Sequence, residues 1–153
     1  MVDYAPPPPV SQDERTMAVP THALQVPGSW IAPLVIFFAK RESLFVRFHA
    51  LQALLLQGLK IVVLFGTMTI FFVAMLSSLA LQPTAKGGPP PLIIMFFPVI
   101  WLGFFVLFIF ELVLAIVFAI KAGNGKWDGY PVLGNLARRF LGMDQPKDPV
   151  QTS

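Results

Sequence analysis

Residues 92–120 constrain this chain more than any other stretch. From Leu92 to Ile120 the side chains are apolar, interrupted only by Pro98, Gly103 and one charge, Glu111. A helix of about 29 residues is roughly 43 Å long, more than the hydrocarbon core of a bilayer requires. The whole chain agrees with that run: 56% of its residues are hydrophobic and 12% charged, against about 25% charged in soluble domains. The expected fold is an all-α integral membrane protein. It has three hydrophobic helical segments, the first short or kinked, and a C-terminal interfacial amphipathic helix.

Composition divides the chain in three. Residues 1–26 read as a Pro-rich disordered tail. Pro6 to Pro9 favour polyproline II, and the charged stretch Ser11 to Arg15 follows. The tail is a linker or, alternatively, a docking peptide. Residues 27–141 form the multi-pass membrane domain, and residues 142–153 a flexible tail. No basic stretch leads into an apolar core at the start, so no cleavable signal is expected.

Within the membrane domain, Leu24 to Ala39 is the first apolar segment, with Pro27-Gly28 near its start and Pro33 inside. It is expected as a short span with Trp30 at the outer interface, the alternative being a re-entrant element. Lys40-Arg41-Glu42-Ser43 is a charged turn, and Ser43 suits the cap of a helix from Leu44 to Leu81. Lys86-Gly87-Gly88 and three prolines separate that helix from the next. After Ile120, Lys121 to Lys126 reads as a helix end and turn. Val132, Leu133, Leu136, Phe140 and Leu141 then fall at helical spacing, which predicts a short helix lying on the membrane surface.

Basic residues set the orientation. Lys40, Arg41, Arg47 and Lys60 flank the first joint, and Lys121, Lys126, Arg138 and Arg139 follow the last span. The second joint has only Lys86. Three spans with the N-terminus outside and the C-terminus inside satisfy this pattern; a re-entrant first segment moves only the N-terminus inside. The formal charge of +3 is therefore read as orientation, and no nucleic-acid partner is expected.

Glu111 is the sharpest site candidate. Ala115, Ala119 and Ala122 follow it at helical spacing on one face, where small residues let a second backbone approach. Lys60 lies at a shallower depth on the same membrane side, so an intramembrane Lys60–Glu111 pair is expected. A structural role for it outweighs a proton relay. His49, Gln57, Lys60, Thr67 and Ser78 share one sector of their helix. They form either a polar seam or, more simply, interfacial and self-bonded side chains. The stripe Phe97, Trp101, Phe104 and Phe108 shares the Glu111 face. Packing is its ordinary explanation, and stacking on a pigment, quinone or lipid the alternative. Arg138 and Arg139 are expected to touch lipid headgroups.

Two stretches resemble a known family. The basic turn with Phe45-Val46-Arg47-Phe48-His49-Ala50-Leu51-Gln52-Ala53 is one. Lys121-Ala122 with Gly125, Pro131, Gly134 and Leu136-Ala137 is the other. Together they resemble the small bacterial membrane proteins related to the twenty-kilodalton Tic component of chloroplast protein import, over roughly residues 29–141. The resemblance implies a multi-helix membrane protein of the bacterial inner membrane or plastid envelope and, for the plastid relatives, a role in a protein-conducting translocon. In this signature Phe45, Arg47, Phe48, His49 and Gln52 either bind headgroups or, preferably, lock the first joint to the C-terminal helix.

Enzyme motifs are missing. Gly123-Asn124-Gly125-Lys126 lacks P-loop spacing and follows an apolar helix rather than a strand. The chain has no Cys and two His far apart in sequence, which argues against a catalytic metal. No cofactor is expected. The expected function is a non-enzymatic accessory or assembly subunit whose partners are lipids and other membrane proteins or itself. The alternative is a component of a transport or protein-conducting complex.

Overall fold

The computed structural model describes residues 9–26, 30–81 and 91–143, and their regular structure is entirely helical. The elements are α1 (Gln12–Ala23), α2 (Ile31–Ala39), α3 (Leu44–Leu81), α4 (Pro91–Gly123) and α5 (Leu133–Phe140). The polyproline run up to Pro8, the segment joining α3 to α4 and the tail from Asp144 lie outside the described residues. Packing groups the chain into two units, Met1–Gln57 with Leu114–Ser153, and Gly58–Val113.

Two expectations are corrected. The first concerns the tail: residues 12–23 are not a loose linker but α1. A capping box starts it, in which the Ser11 hydroxyl accepts from the Glu14 N–H and the Glu14 carboxylate accepts from the Ser11 N–H at 2.9 Å. The second concerns the first apolar segment. Its helix, α2, has nine residues, so it is roughly 14 Å long against a hydrocarbon core of about 30 Å. The chain turns at residues 24–26 before α2 begins, so no continuous helix lengthens it. Two helices, α3 and α4, are long and apolar enough to cross a membrane; three are not found among the described residues.

Both long helices follow from local chemistry. Ser43 accepts from the Val46 N–H at 3.2 Å and so satisfies a donor at the first turn of α3. No Pro or Gly pair interrupts residues 44–81. In the unit Gly58–Val113 the apolar side chains point outward: Phe65 is 66% exposed and Leu102 62%. Water solvates such a surface poorly, and acyl chains solvate it well.

The other unit has a conventional core. Ala18 of α1, Phe45 of α3 and Ala122 of α4 are buried together, with Val10 and Trp127 packed against them. Small residues at 18 and 122 let these helices approach closely. The Ser43 hydroxyl also donates to Glu14 at 2.7 Å, so one carboxylate serves the caps of both α1 and α3. That bond, followed by the Ser11 N–H, holds the Glu14 carboxyl below its ordinary range.

The turn before α5 is equally tight. A Cβ on Gly129 would lie 2.6 Å from the Gly134 Cα and 3.1 Å from Gln52 Oε1. Neither the backbone nor that buried amide has room to retreat. Gly129→Ala is therefore expected to cost about 2 kcal/mol or more, read as a lowered unfolding midpoint. A wild-type midpoint would show that the turn is looser than this packing requires.

Candidate functional site

The buried faces of α1, α3 and the 124–131 segment are polar where they meet. On α1 and the turn after it, positions 18, 21, 22 and 25 form one helical stripe, and three of its members are Thr21, His22 and Gln25. All four are fully buried, as are His49 and Gln52 on α3. Tyr130 closes the group at 3% exposure.

Gln25, Tyr130, His22 and His49 form a single relay. His22 Nδ1 lies 2.8 Å from the Tyr130 hydroxyl, and His22 Nε2 lies 3.0 Å from His49 Nδ1. His49 Nε2 lies 3.1 Å from the Lys126 carbonyl. The Gln25 amide donates to the Tyr130 hydroxyl at 2.9 Å. The Gln57 side-chain amide donates to the Gln25 backbone carbonyl, also at 2.9 Å.

The terminal carbonyl fixes the direction. Lys126 O can only accept, so His49 Nε2 carries a proton. With both rings neutral, His49 Nδ1 then accepts and His22 Nε2 donates. His22 Nδ1 accepts in turn, and the Tyr130 hydroxyl donates to it. One set of tautomers therefore satisfies every link from Gln25 to Lys126. Burial, then the neighbouring His49, lowers the His22 pKa to about 3, in keeping with a neutral ring.

Gln52 supports the relay from the side. Its Oε1 accepts from the Tyr130 N–H at 2.7 Å, and its Nε2 donates to the Phe48 carbonyl at 3.3 Å. Aromatic rings enclose the group. Phe118 meets Tyr130 edge to face with centroids 4.4 Å apart, and Phe45 meets His49 likewise at 4.6 Å. Phe48 carries the Arg138 guanidinium over its ring at 4.9 Å.

This arrangement bonds three segments together. His22 spends its two nitrogens on different partners, so the donors run in a line and do not converge. Among the described residues no three His, Cys, Asp or Glu side chains are grouped to hold a metal.

The expected site residues scatter into three environments. Phe45, Phe48, His49 and Gln52 are buried in the relay and its aromatic wall, so His49 is not an interfacial side chain. Arg47 instead stacks over Phe37 of α2 at 5.1 Å. Arg138 turns inward, donating to the Trp127 carbonyl at 2.5 Å, so the expected headgroup contact falls to the exposed Arg139 alone. In the same unit Ala115 and Ala122 are buried and Ala119 is half-buried.

In the unit Gly58–Val113 the structure brings Lys60 and Glu111 together. Lys60 Nζ donates to both carboxylate oxygens, at 2.9 and 3.0 Å. The Glu111 side chain is 6% exposed and that of Lys60 37%. Of the polar sector on α3, Ser78 bonds its own backbone, donating to the Met75 carbonyl at 2.7 Å. Phe97, Trp101 and Phe108 are exposed and Phe104 half-buried; Phe97 and Trp101 meet edge to face at 6.0 Å.

His22, Gln25 and Tyr130 are absent from the residues expected from sequence. The signal was present as Ser11-Gln12-Asp13-Glu14, a capping-box spacing that announces α1.

The fold and its relay define a small helical protein with two apolar helices of membrane-spanning length and a polar-laced helical core. Residues 13–137 match the MamF/MmsF family, described as the magnetosome magnetite crystal formation protein family. The chain belongs to that family. No curated protein and no solved structure matches it. The match overturns the resemblance to the Tic-related proteins, and the protein-transport role that rested on it falls as well. The structure supplies the physical reason. The motif residues are the buried Phe45, Phe48, His49 and Gln52 and the close-packed Gly134. They report how helices pack, and packing does not identify a translocon.

Proposed function

We propose that the chain is a non-enzymatic integral protein of the magnetosome membrane. In this reading it serves magnetite crystal formation as an accessory or assembly element that packs against other membrane proteins. The observation carrying the reading is the family match over residues 13–137, on a chain whose two longest helices each contain a largely uncovered apolar stretch long enough to cross a membrane. With α3 and α4 as the two crossings among the described residues, α1 and α5 lie on one side of the membrane. Lys40, Arg41 and Arg47 before the first crossing, and Lys121, Lys126, Arg138 and Arg139 after the second, favour the cytoplasmic side for both. The contribution is structural: the buried relay keeps the non-spanning helices in a fixed shape.

Removing the chain from a magnetite-forming cell is expected to change the number, size or shape of the crystals in electron micrographs, with recovery on re-expression. Purification in mild detergent is expected to retain at least one membrane protein in fixed stoichiometry. An unchanged crystal population would overturn the role in crystal formation. A chain that purifies alone, with crystals altered, would overturn the assembly role.

A further inference from the structure

The outer edge of α5 is the most exposed apolar feature beside the buried core. Leu136 and Phe140 lie one turn apart on one side of α5, and the exposed Val132 immediately precedes the helix. Val132 is 78% exposed and Phe140 68%. The opposite side is closed, with Gly134 and Ala137 buried. The two neighbouring arginines divide between these sides. Arg138 is committed to Trp127 and Phe48, whereas Arg139 remains exposed beside the apolar edge.

The start of the edge also carries a conformational cost. Val132 has φ 67° and ψ −55°, and the Leu133 N–H donates to the Pro131 carbonyl at 2.8 Å. That is a γ-turn of the rarer kind, strained for any β-branched residue. The valine in this turn is 78% exposed. Strain at an exposed apolar residue points to a contact the isolated chain does not show.

We propose that this edge seats in the headgroup region of an anionic bilayer, with Val132, Leu136 and Phe140 below the surface and Arg139 paired to phosphate. The proposal rests on the reading of α3 and α4 as membrane spans. Three observations favour lipid as the occupant. The Phe118–Tyr130 stack and the Lys121–Asp128 ion pair, 3.0 Å long, hold the segment leading to α5 against the last turns of the apolar helix α4. The edge is a single row of side chains, suited to shallow insertion. Its free charge, on Arg139, complements anionic lipid.

The chain has no native cysteine, so single cysteines can carry an environment-sensitive nitrobenzoxadiazole dye. The full chain, bearing Leu136→Cys, Phe140→Cys or Asn135→Cys, is reconstituted into vesicles of phosphatidylcholine with or without phosphatidylglycerol. Dye at 136 and 140 is expected to brighten several-fold in the anionic vesicles. Lipid carrying a spin label near the headgroup should quench it. Dye at the polar position 135 should stay water-like. Arg139→Gln should remove most of the anionic preference at 140.

Leu107→Cys, within α4, separates this claim from the one beneath it. Dye at 107 that a deep spin label fails to quench would overturn the membrane reading itself. Quenching at 107 with water-like dye at 136 and 140 would overturn the α5 proposal alone. Protection at 136 and 140 that follows protein density and resists lipid quenching would assign the edge to a protein partner or a second copy, and would overturn it too.

Discussion

Replacing His49 with alanine is expected to unfold the packed unit at a cost of about 3–5 kcal/mol. The substitution removes two hydrogen bonds at once. It leaves the His22 N–H and the Lys126 carbonyl facing a void, and it removes one of the two rings that meet Phe45. An unmet buried donor costs more than the bond itself was worth. His49→Gln keeps one amide donor in reach of the carbonyl and should cost about half as much. Urea unfolding in mild detergent, followed by Trp127 fluorescence, would give the midpoints. Trypsin cleavage at Arg15 would report release of α1. A loss below about 1 kcal/mol for His49→Ala would mean the relay does not hold the unit together.

The same relay sets a pH dependence. His22 is held at about 3 in the folded chain, against about 6.5 for an unperturbed histidine. Between those values the unfolded chain binds a proton that the folded chain excludes. Stability is therefore complete above about pH 6.5 and is lost as pH falls toward 3, by up to about 1.4 kcal/mol per unit. His22→Gln should flatten that slope. A slope unchanged by the substitution would place the titrating group elsewhere.

How much of this was legible in the sequence depended on the chemistry of each face. The cores of α3 and α4 are apolar all round, so their length and extent could be read directly. Their match to membrane thickness needed no tertiary information. The surface helix near Val132 also showed its periodicity. By contrast α1 and the turn after it bury Thr21, His22 and Gln25. A search for apolar spacing passes over such a stripe, because the burial of His22 and Gln25 is offset by hydrogen bonds to residues far along the chain. Tyr130 is 108 positions from His22. Only the capping-box spacing at Ser11 and Glu14 was local. Arg138 and Arg139 show the opposite problem. They are adjacent and identical, and what separates them is the ring of Phe48 and the carbonyl of Trp127, neither of which their own neighbourhood reveals. The family assignment failed for a related reason, since the motif residues serve packing.

Lys60→Met is expected to be the most damaging single change in the unit Gly58–Val113, at about 3–5 kcal/mol. The Glu111 carboxylate is nearly buried and would lose the cation that touches both its oxygens. Glu111→Leu should cost less. The Lys60 side chain is 37% exposed, and its long stem lets the ammonium turn toward water. The double change Lys60→Met with Glu111→Leu replaces the pair by apolar side chains. It should return stability to within about 1 kcal/mol of the parent, because a buried pair repays little more than its own desolvation. Sodium dodecyl sulfate titration of protein in bicelles would supply the four free energies. The cycle should show a coupling of about 2 kcal/mol or more, and strictly additive changes would remove the pair from the account. If the double variant folds but no longer retains its partner, the pair contributes specificity rather than stability. A charge fixed at one depth on one helix face would then define where a second membrane protein can dock.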